Sequence, residues 1–220
     1  AAALEQRVGR PAAEQEAGPL RAVERLMSRH TDEGRAKCFQ TDRQQPRRLR
    51  RIDDQRHPPR TAERRDLSAM LDIYNYEVKN GTATFDVEPR AGAAGEAWFA
   101  AHNTGNHPLL VAEEDGKVLG YASLSPYRDF DAYLQTVELS VYVAPESRGR
   151  GIASALMEAV LRLAREDAGT HTVVSVIAGG NAASVRLHEK FGFTYSGTLH
   201  EVGLKFGRYL DIVNYELRVG

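Results

Sequence analysis

Val137-Glu138-Leu139-Ser140-Val141-Tyr142-Val143 runs into Ala144-Pro145-Glu146-Ser147 and then into Arg148-Gly149-Arg150-Gly151-Ile152-Ala153. The opening part reads as a buried strand and the middle as a short turn built on a proline. The last part starts a helix whose apolar positions Ile152, Leu156, Val160 and Leu163 recur at helical spacing. Glycines between a strand and a helix N-terminus leave bare backbone N–H groups for an anion, most often phosphate. Glu138, set between Val137 and Leu139, is a carboxylate in an otherwise apolar strand. The stretch predicts a phosphate cradle with a half-buried acid beside it.

Outward from this centre the chain divides in two. Residues 1–59 hold 13 Arg/Lys against 9 Asp/Glu and few aromatics; the rest holds 16 against 21. Low hydrophobicity predicts that residues 1–59 form an Arg-rich extension, disordered or loosely packed, with one helical patch at Leu20, Val23, Leu26 and Met27. Its Arg47-Arg48-Leu49-Arg50-Arg51 cluster reads as a solvated tail or an anion contact. His57-Pro58-Pro59 marks the boundary, and residues 60–220 form one globular domain. That domain carries a net charge of −5, a poor basis for binding nucleic acid, which needs a basic face. No apolar run approaches the roughly 18–20 residues that span a bilayer. No secretory apolar segment follows the first residues, and a single cysteine, Cys38, fits a reducing, cytoplasmic setting.

Within 60–220, Leu67, Met70, Leu71, Tyr74 and Val78 share one helical face that ends at Asn80-Gly81, and a second helix is expected over 93–102. Strands are expected at 109–112, 118–124, 134–143, 173–178, 193–199 and 212–217, with a hairpin turn at Asp115-Gly116. Gly120 marks a close approach or a bulge. Helices are expected over 152–165 and 183–190. The element order predicts a mixed α/β (α+β) domain: an antiparallel hairpin region, then β-α-β-α-β, then a last strand.

The glycine pattern is not a dinucleotide fingerprint, which needs three glycines after a first strand, nor a phosphate loop ending Gly-Lys-Ser/Thr. Val141-Tyr142-Val143-x-Pro145-x-x-Arg148-Gly149-x-Gly151-Ile152-Ala153 resembles the acetyl-CoA pyrophosphate loop of the GNAT acetyltransferase superfamily. Asn181-Ala182-Ala183-Ser184, followed by His188-Glu189-Lys190-Phe191-Gly192-Phe193, resembles its second motif. The resemblance covers about residues 60–218. It implies the GNAT fold, a mixed and mostly antiparallel central sheet flanked by helices, with acetyl-CoA as co-substrate. The implied cofactor-binding residues are Val141, Tyr142, Val143, Arg148, Gly149, Arg150, Gly151, Ile152, Ala153, Ser154, Asn181, Ser184 and Lys190. Asn181 and Ser184 also suit a plain helix cap.

Leu71-Asp72-Ile73-Tyr74-Asn75, Thr82-Ala83-Thr84-Phe85 and Lys205-Phe206-Gly207-Arg208 are similar to the phosphinothricin and methionine sulfoximine N-acetyltransferase branch. That likeness implies a small amino-acid-like amine as acceptor and a homodimer. Substrate contacts are then expected from Tyr127, Arg128, Thr136, Phe85 and Lys205. The branch commonly places three arginines before the central strand. Here only Arg128 remains, with Phe130 and Leu134 at the other two positions. The loop is therefore weaker at clamping an anionic substrate and fits a more apolar or cationic amine.

Acetyl transfer to an amine needs a base to take a proton. Glu138 is the candidate, because partial burial raises a carboxyl pKa towards a useful range; an edge-facing surface glutamate is the alternative. A backbone N–H near Val141 or Val143 would stabilise the oxyanion. His188 or Tyr142 could protonate the leaving thiolate, or His188 could simply pack beside the cofactor. His102, His107 and His171 read as surface residues, and their spacing suggests no metal site. Acetylation of a protein N-terminus or lysine, and non-catalytic acyl-CoA binding, remain alternatives.

Overall fold

The structure is a computed structural model, and it describes residues 58–220. The expected extension, with its helical patch, arginine cluster and Cys38, lies outside the described residues except for Pro58 and Pro59. In chain order the elements are β1 (Arg60–Thr61), α1 (Leu67–Asn80), α2 (Gly92–Ala100), β2 (Leu109–Glu114), β3 (Lys117–Pro126) and β4 (Thr136–Val143). There follow α3 (Ile152–Glu166), β5 (Thr172–Ala178), α4 (Ala182–Lys190), β6 (Thr194–Lys205) and β7 (Arg208–Arg218). The seven strands form one sheet in the order β1-β2-β3-β4-β5-β7-β6. Every neighbouring pair is antiparallel except β4 and β5, which run parallel. This is the mixed, mostly antiparallel sheet expected of the GNAT fold.

The two faces of the sheet carry separate cores. Leu156, Met157, Val160 and Leu161 of α3 pack on Leu110, Leu124, Val137 and Val173, with Val185 and Leu187 of α4 against the same cluster. Each such fully buried side chain contributes about 1.5–3 kcal/mol before entropy is counted, so α3 is firmly seated and its N-terminus has a fixed position. On the other face Leu67, Met70, Ile73, Tyr74 and Val78 of α1 pack on Leu109, Val111 and Tyr121, joined by Trp98 and Phe99 of α2. Strand alternation separates the two sets on β4. Val137 and Leu139 face α3, and Tyr142 packs with the α1 cluster.

Gly120 is a close approach, as expected: a Cβ there would stand 2.7 Å from the Tyr142 carbonyl oxygen. A register shift lies opposite it, between Ala112 and Glu113. The Asp115-Gly116 turn has φ of +51° and +79°, the left-handed pair of a tight hairpin.

Three expectations change. β6 and β7 are longer than periodicity predicted and meet at Phe206-Gly207, with φ of +52° and +72°. Glu201 at φ +54° and a register shift between Leu199 and Gly203 break the alternation that would have revealed the strand. β4 begins at Thr136, because Leu134 caps a short turn and is 71% exposed. Gly81 ends α1, as expected, in extended backbone with φ −128°; a Cβ there would collide with the Glu77 carboxylate. His102, expected at the surface, is buried. Its ring is held by the Trp98 carbonyl at 2.7 Å and Ser125 Oγ at 3.0 Å, partners invisible in a one-dimensional reading.

Candidate active site

The decisive feature is a fork between β4 and β5. Their pairing covers only Thr136↔Thr172, Val137↔Val173 and Glu138↔Val174, after which the strands part. On the other side β4 stays paired with β3 as far as Val143, and the Ala144 N–H donates to Leu119 O at 2.9 Å. Backbone groups alternate sides along a strand. Those of Ser140 and Tyr142 thus belong to the β3 ladder, and those of Leu139, Val141 and Val143 point into the fork.

The cleft in the fork is lined by Leu139 to Val143 on one side and Ser175 to Ala178 on the other, with Asn181, Ser184 and His188 of the α4 region. Ser175 lines it, and its Oγ is buried and has no hydrogen-bond partner among the described residues. An open row of strand amides and an orphaned buried hydroxyl are what an amide-bearing carrier arm would satisfy. Asn181 does cap α4, its side-chain oxygen accepting from the Ser184 N–H at 3.1 Å. Its Nδ2 is left over for a ligand in the cleft.

At the mouth of the fork α3 begins without a side-chain cap. Gly149 and Gly151 hold φ of +76° and +86°, conformations that favour glycine. The first-turn N–H groups around Ile152, Ala153 and Ser154 have no intrahelical acceptor, and the helix dipole adds positive potential there. A diphosphate fits this cradle. Lys190 Nζ stands at its rim, 3.1 Å from Ser154 Oγ. Arg148 and Arg150 are both engaged by acids: Arg148 pairs with Glu77 of α1, and Arg150 with Glu114 at 2.8 Å. The cradle therefore works mainly through its backbone.

A second cleft opens on the α1 face of the sheet. Its walls are Tyr74, Phe85, Arg90, Trp98, Tyr121, Ser123, Ser125, Glu138, Val202 and Ile212. Ala83, Ser140, Tyr142 and Val176 line both clefts, so the two meet there. Glu138 lines the second cleft, two residues before Ser140 on β4, and makes no hydrogen bond or ion pair among the described residues. Burial pushes its carboxyl above the usual carboxylate range, partly offset by the charge of Arg128. Tyr142 stacks on Tyr121 at 5.4 Å and its hydroxyl donates to Ala83 O at 3.3 Å. Burial raises its pKa far above neutrality. His188 is 5% exposed and pairs through Nδ1 with Ser184 O at 2.8 Å. The carbonyl can only accept, so Nδ1 carries the proton, and burial depresses the pKa and keeps the ring neutral.

The fork thus gathers Val141, Tyr142, Val143, Arg148, Ala153, Asn181, Ser184 and His188; Gly149, Arg150, Gly151, Ile152, Ser154 and Lys190 lie at or beside the cradle. Phe85 and Glu138 share the second cleft. Other expected substrate contacts fall elsewhere. Lys205 is 3% exposed, its ammonium donating to Thr84 O at 2.8 Å and Glu77 O at 3.2 Å. It pins the 77–84 segment rather than facing either cleft. Tyr127, Arg128 and Thr136 line neither, and Arg128 is exposed, stacked 4.9 Å over Tyr127. Sequence reasoning overlooked Ser175, Trp98 as a cleft wall, and Arg90. Among the described residues no group of three His, Cys, Asp or Glu side chains could hold a metal ion, and no helix is long and apolar enough to cross a membrane.

A phosphate cradle at the mouth of a strand fork, meeting a second cleft that holds an unpaired acid, defines an enzyme that moves a group from a phosphate-bearing carrier to a small acceptor. The chain belongs to the acetyltransferase (GNAT) family, whose pattern matches residues 70–193, and is an N-acetyltransferase that uses acetyl-CoA. It is 43% identical over 155 residues to the L-methionine sulfoximine/L-methionine sulfone acetyltransferase of Pseudomonas paraeruginosa, covering 70% of this chain and 90% of the relative. A solved ribosomal-protein-alanine N-acetyltransferase from Brucella melitensis is 41% identical, with TM-score 0.70, over 73% of this chain and 98% of that one. A phosphinothricin acetyltransferase from Sinorhizobium meliloti, solved with acetyl-CoA, is 34% identical, with TM-score 0.71, over 75% and 89% of the two chains.

Proposed function

We propose that the chain transfers the acetyl group of acetyl-CoA to the amino group of a small amino-acid-like amine by direct attack, with Glu138 as general base. The observation that carries this is the position of Glu138: half-buried, without a hydrogen-bond or ion-pair partner among the described residues, and in the cleft that meets the fork. The names of the Pseudomonas and Sinorhizobium relatives support a small amino-acid analogue as acceptor. Acetyl-CoA would lie with its diphosphate on Gly149 to Ser154 and its arm along the fork, supplying the acyl thioester at Ser140 and Tyr142. Glu138 takes the proton that the amine must lose. The N–H groups of Val141 and Val143, aimed into the fork, suit an oxygen that gains negative charge.

Tyr142 is the better proton donor for the departing thiol. Its hydroxyl stays protonated across the working pH range and is held only by a long 3.3 Å bond to Ala83 O, whereas the one N–H of neutral His188 is held by Ser184 O at 2.8 Å. His188 packs beside the carrier. The enzyme works as a homodimer joined through the β6–β7 hairpin, where Leu199, Val202, Leu204, Phe206 and Tyr209 are all exposed. One cysteine in 220 residues suits a cytoplasmic enzyme.

Thiol release from acetyl-CoA, followed across a panel of free amino acids and plain amines, tests this reading. Turnover with small α-amino acids is expected. CoA binding without turnover on any amine would overturn it. The Brucella relative favours a second reading, transfer to a protein N-terminus; faster turnover of an alanine-initial peptide than of any free amino acid would establish it.

A further inference from the structure

The acceptor cleft contains a cation outside every motif of the family. Arg90 follows Pro89 in the segment between α1 and α2. Its backbone is clamped on both sides by Asn75: the Arg90 N–H donates to Asn75 Oδ1, and Asn75 Nδ2 donates to the Arg90 carbonyl, each at 2.8 Å. Its guanidinium lies 4.5 Å over the Tyr74 ring and 5.5 Å from the Trp98 ring. Nη2 donates to Asp86 Oδ2 at 3.1 Å and Tyr74 Oη at 3.4 Å. Nε and Nη1 make no hydrogen bond among the described residues.

The side chain is 24% exposed. It stands near the Tyr74 and Trp98 rings, with Nε–H and Nη1–H unspent among the described residues, in the cleft that holds Glu138. Arg128, the cation expected to bind substrate, stands on the exposed loop instead. Phe130 and Leu134, 70% and 71% exposed, stand where the other two arginines were expected, and Arg128, followed by Asp129 and Asp131, is the loop's one cation.

We propose that Arg90 determines specificity: an N–H of its guanidinium not engaged by Asp86 or Tyr74 donates to the carboxylate of a free α-amino acid and so turns the amino group towards Glu138. The proposal rests on reading this cleft as the amine site. A carboxylate accepting from a guanidinium N–H makes a charge-assisted hydrogen bond, about twice as strong as a neutral one. Arg90 reaches down from the α1–α2 connection and Glu138 rises from the sheet floor, so the two groups of a zwitterion meet opposite charges in one cleft. Asp86, already on Nη2, competes for the same cation and sets how strongly it attracts a ligand. A peptide N-terminus, which lacks an α-carboxylate, would not satisfy Arg90.

The test compares acetylation of L-methionine sulfone with that of the amine differing only by loss of its carboxylate, in the full-length wild type and variants. The wild type should favour the amino acid by about 10- to 100-fold in kcat/KM, as expected for a charge-assisted pair. Arg90→Met should abolish that preference by raising KM for the amino acid, leaving kcat/KM for the plain amine within about threefold. Asp86→Asn, which frees the guanidinium, should lower KM for the amino acid alone; this arm decides the matter if Arg90→Met does not fold. Equal losses on both substrates in Arg90→Met, a preference that survives it, or a preference lost instead in Arg128→Met would overturn the role. So would a wild type that takes both amines equally well, a result that leaves the N-acetyltransferase reading standing. A wild type that acetylates no amine defeats that reading itself, and this one with it.

Discussion

As the proposed base, Glu138 would set both a rate and a cost. Burial holds its folded pKa above that of the unfolded chain, so the folded state favours the protonated form. Its contribution to stability is therefore greatest below the ordinary carboxylate range and falls as pH rises towards the folded pKa. Activity runs the other way, because only the carboxylate takes a proton. Glu138→Gln should lower kcat/KM by about 10²–10⁴-fold near neutral pH and remove the acidic limb of the pH–rate profile. At pH 8 the same variant should melt no lower than the wild type, and each kcal/mol recovered would raise Tm by roughly 2–4 °C. Stopped assays over pH and a melting series check both halves. The sequence identified this acid because an apolar strand has no structural use for one. It could not identify Arg90 or Ser175. An arginine in an aperiodic segment and a serine among valines are unremarkable until folding brings them to a cleft. Lys205 errs the other way: a cation in a motif near the site proves to be spent on two carbonyl oxygens.

At the scale of elements, the cofactor half was legible because its signals are local. A strand, a glycine turn and an amphipathic helix lie side by side in sequence, and all three formed within a residue or two of expectation. The β6–β7 hairpin was half-hidden because a left-handed Glu201 resets the alternation on which strand reading depends. Gly203 on that hairpin lies under the Phe85 ring, and a Cβ there would overlap it. Gly203→Ala should displace Phe85 from the acceptor cleft. KM for the amine should change several-fold while the Kd for acetyl-CoA stays constant, as steady-state kinetics and calorimetry would show. Gly120→Ala makes the opposite case. Its Cβ would press on Tyr142 O and on Val143 Cα at 3.2 Å. It should weaken acetyl-CoA binding and cost about 1–3 kcal/mol of stability, read from denaturant melts.

For the whole molecule, the exposed hairpin predicts a dimer, and Leu204→Glu with Phe206→Glu should yield monomers by light scattering. A more general consequence comes from the fork. The sheet is continuous through only the three residue pairs between β4 and β5, so the free protein is two part-sheets joined at a short seam that ends beside Glu138. Deuterium uptake should reveal this directly. Amides at 136–139 should resist exchange in the free enzyme, whereas those of Val141 and Val143 should label fast and slow only when acetyl-CoA is present. If so, the resting protein is an unfinished sheet, and loading the acetyl donor is its last folding step. The same groups that hold the donor would then report, through their exchange rates, how much of the enzyme in a cell is charged for reaction.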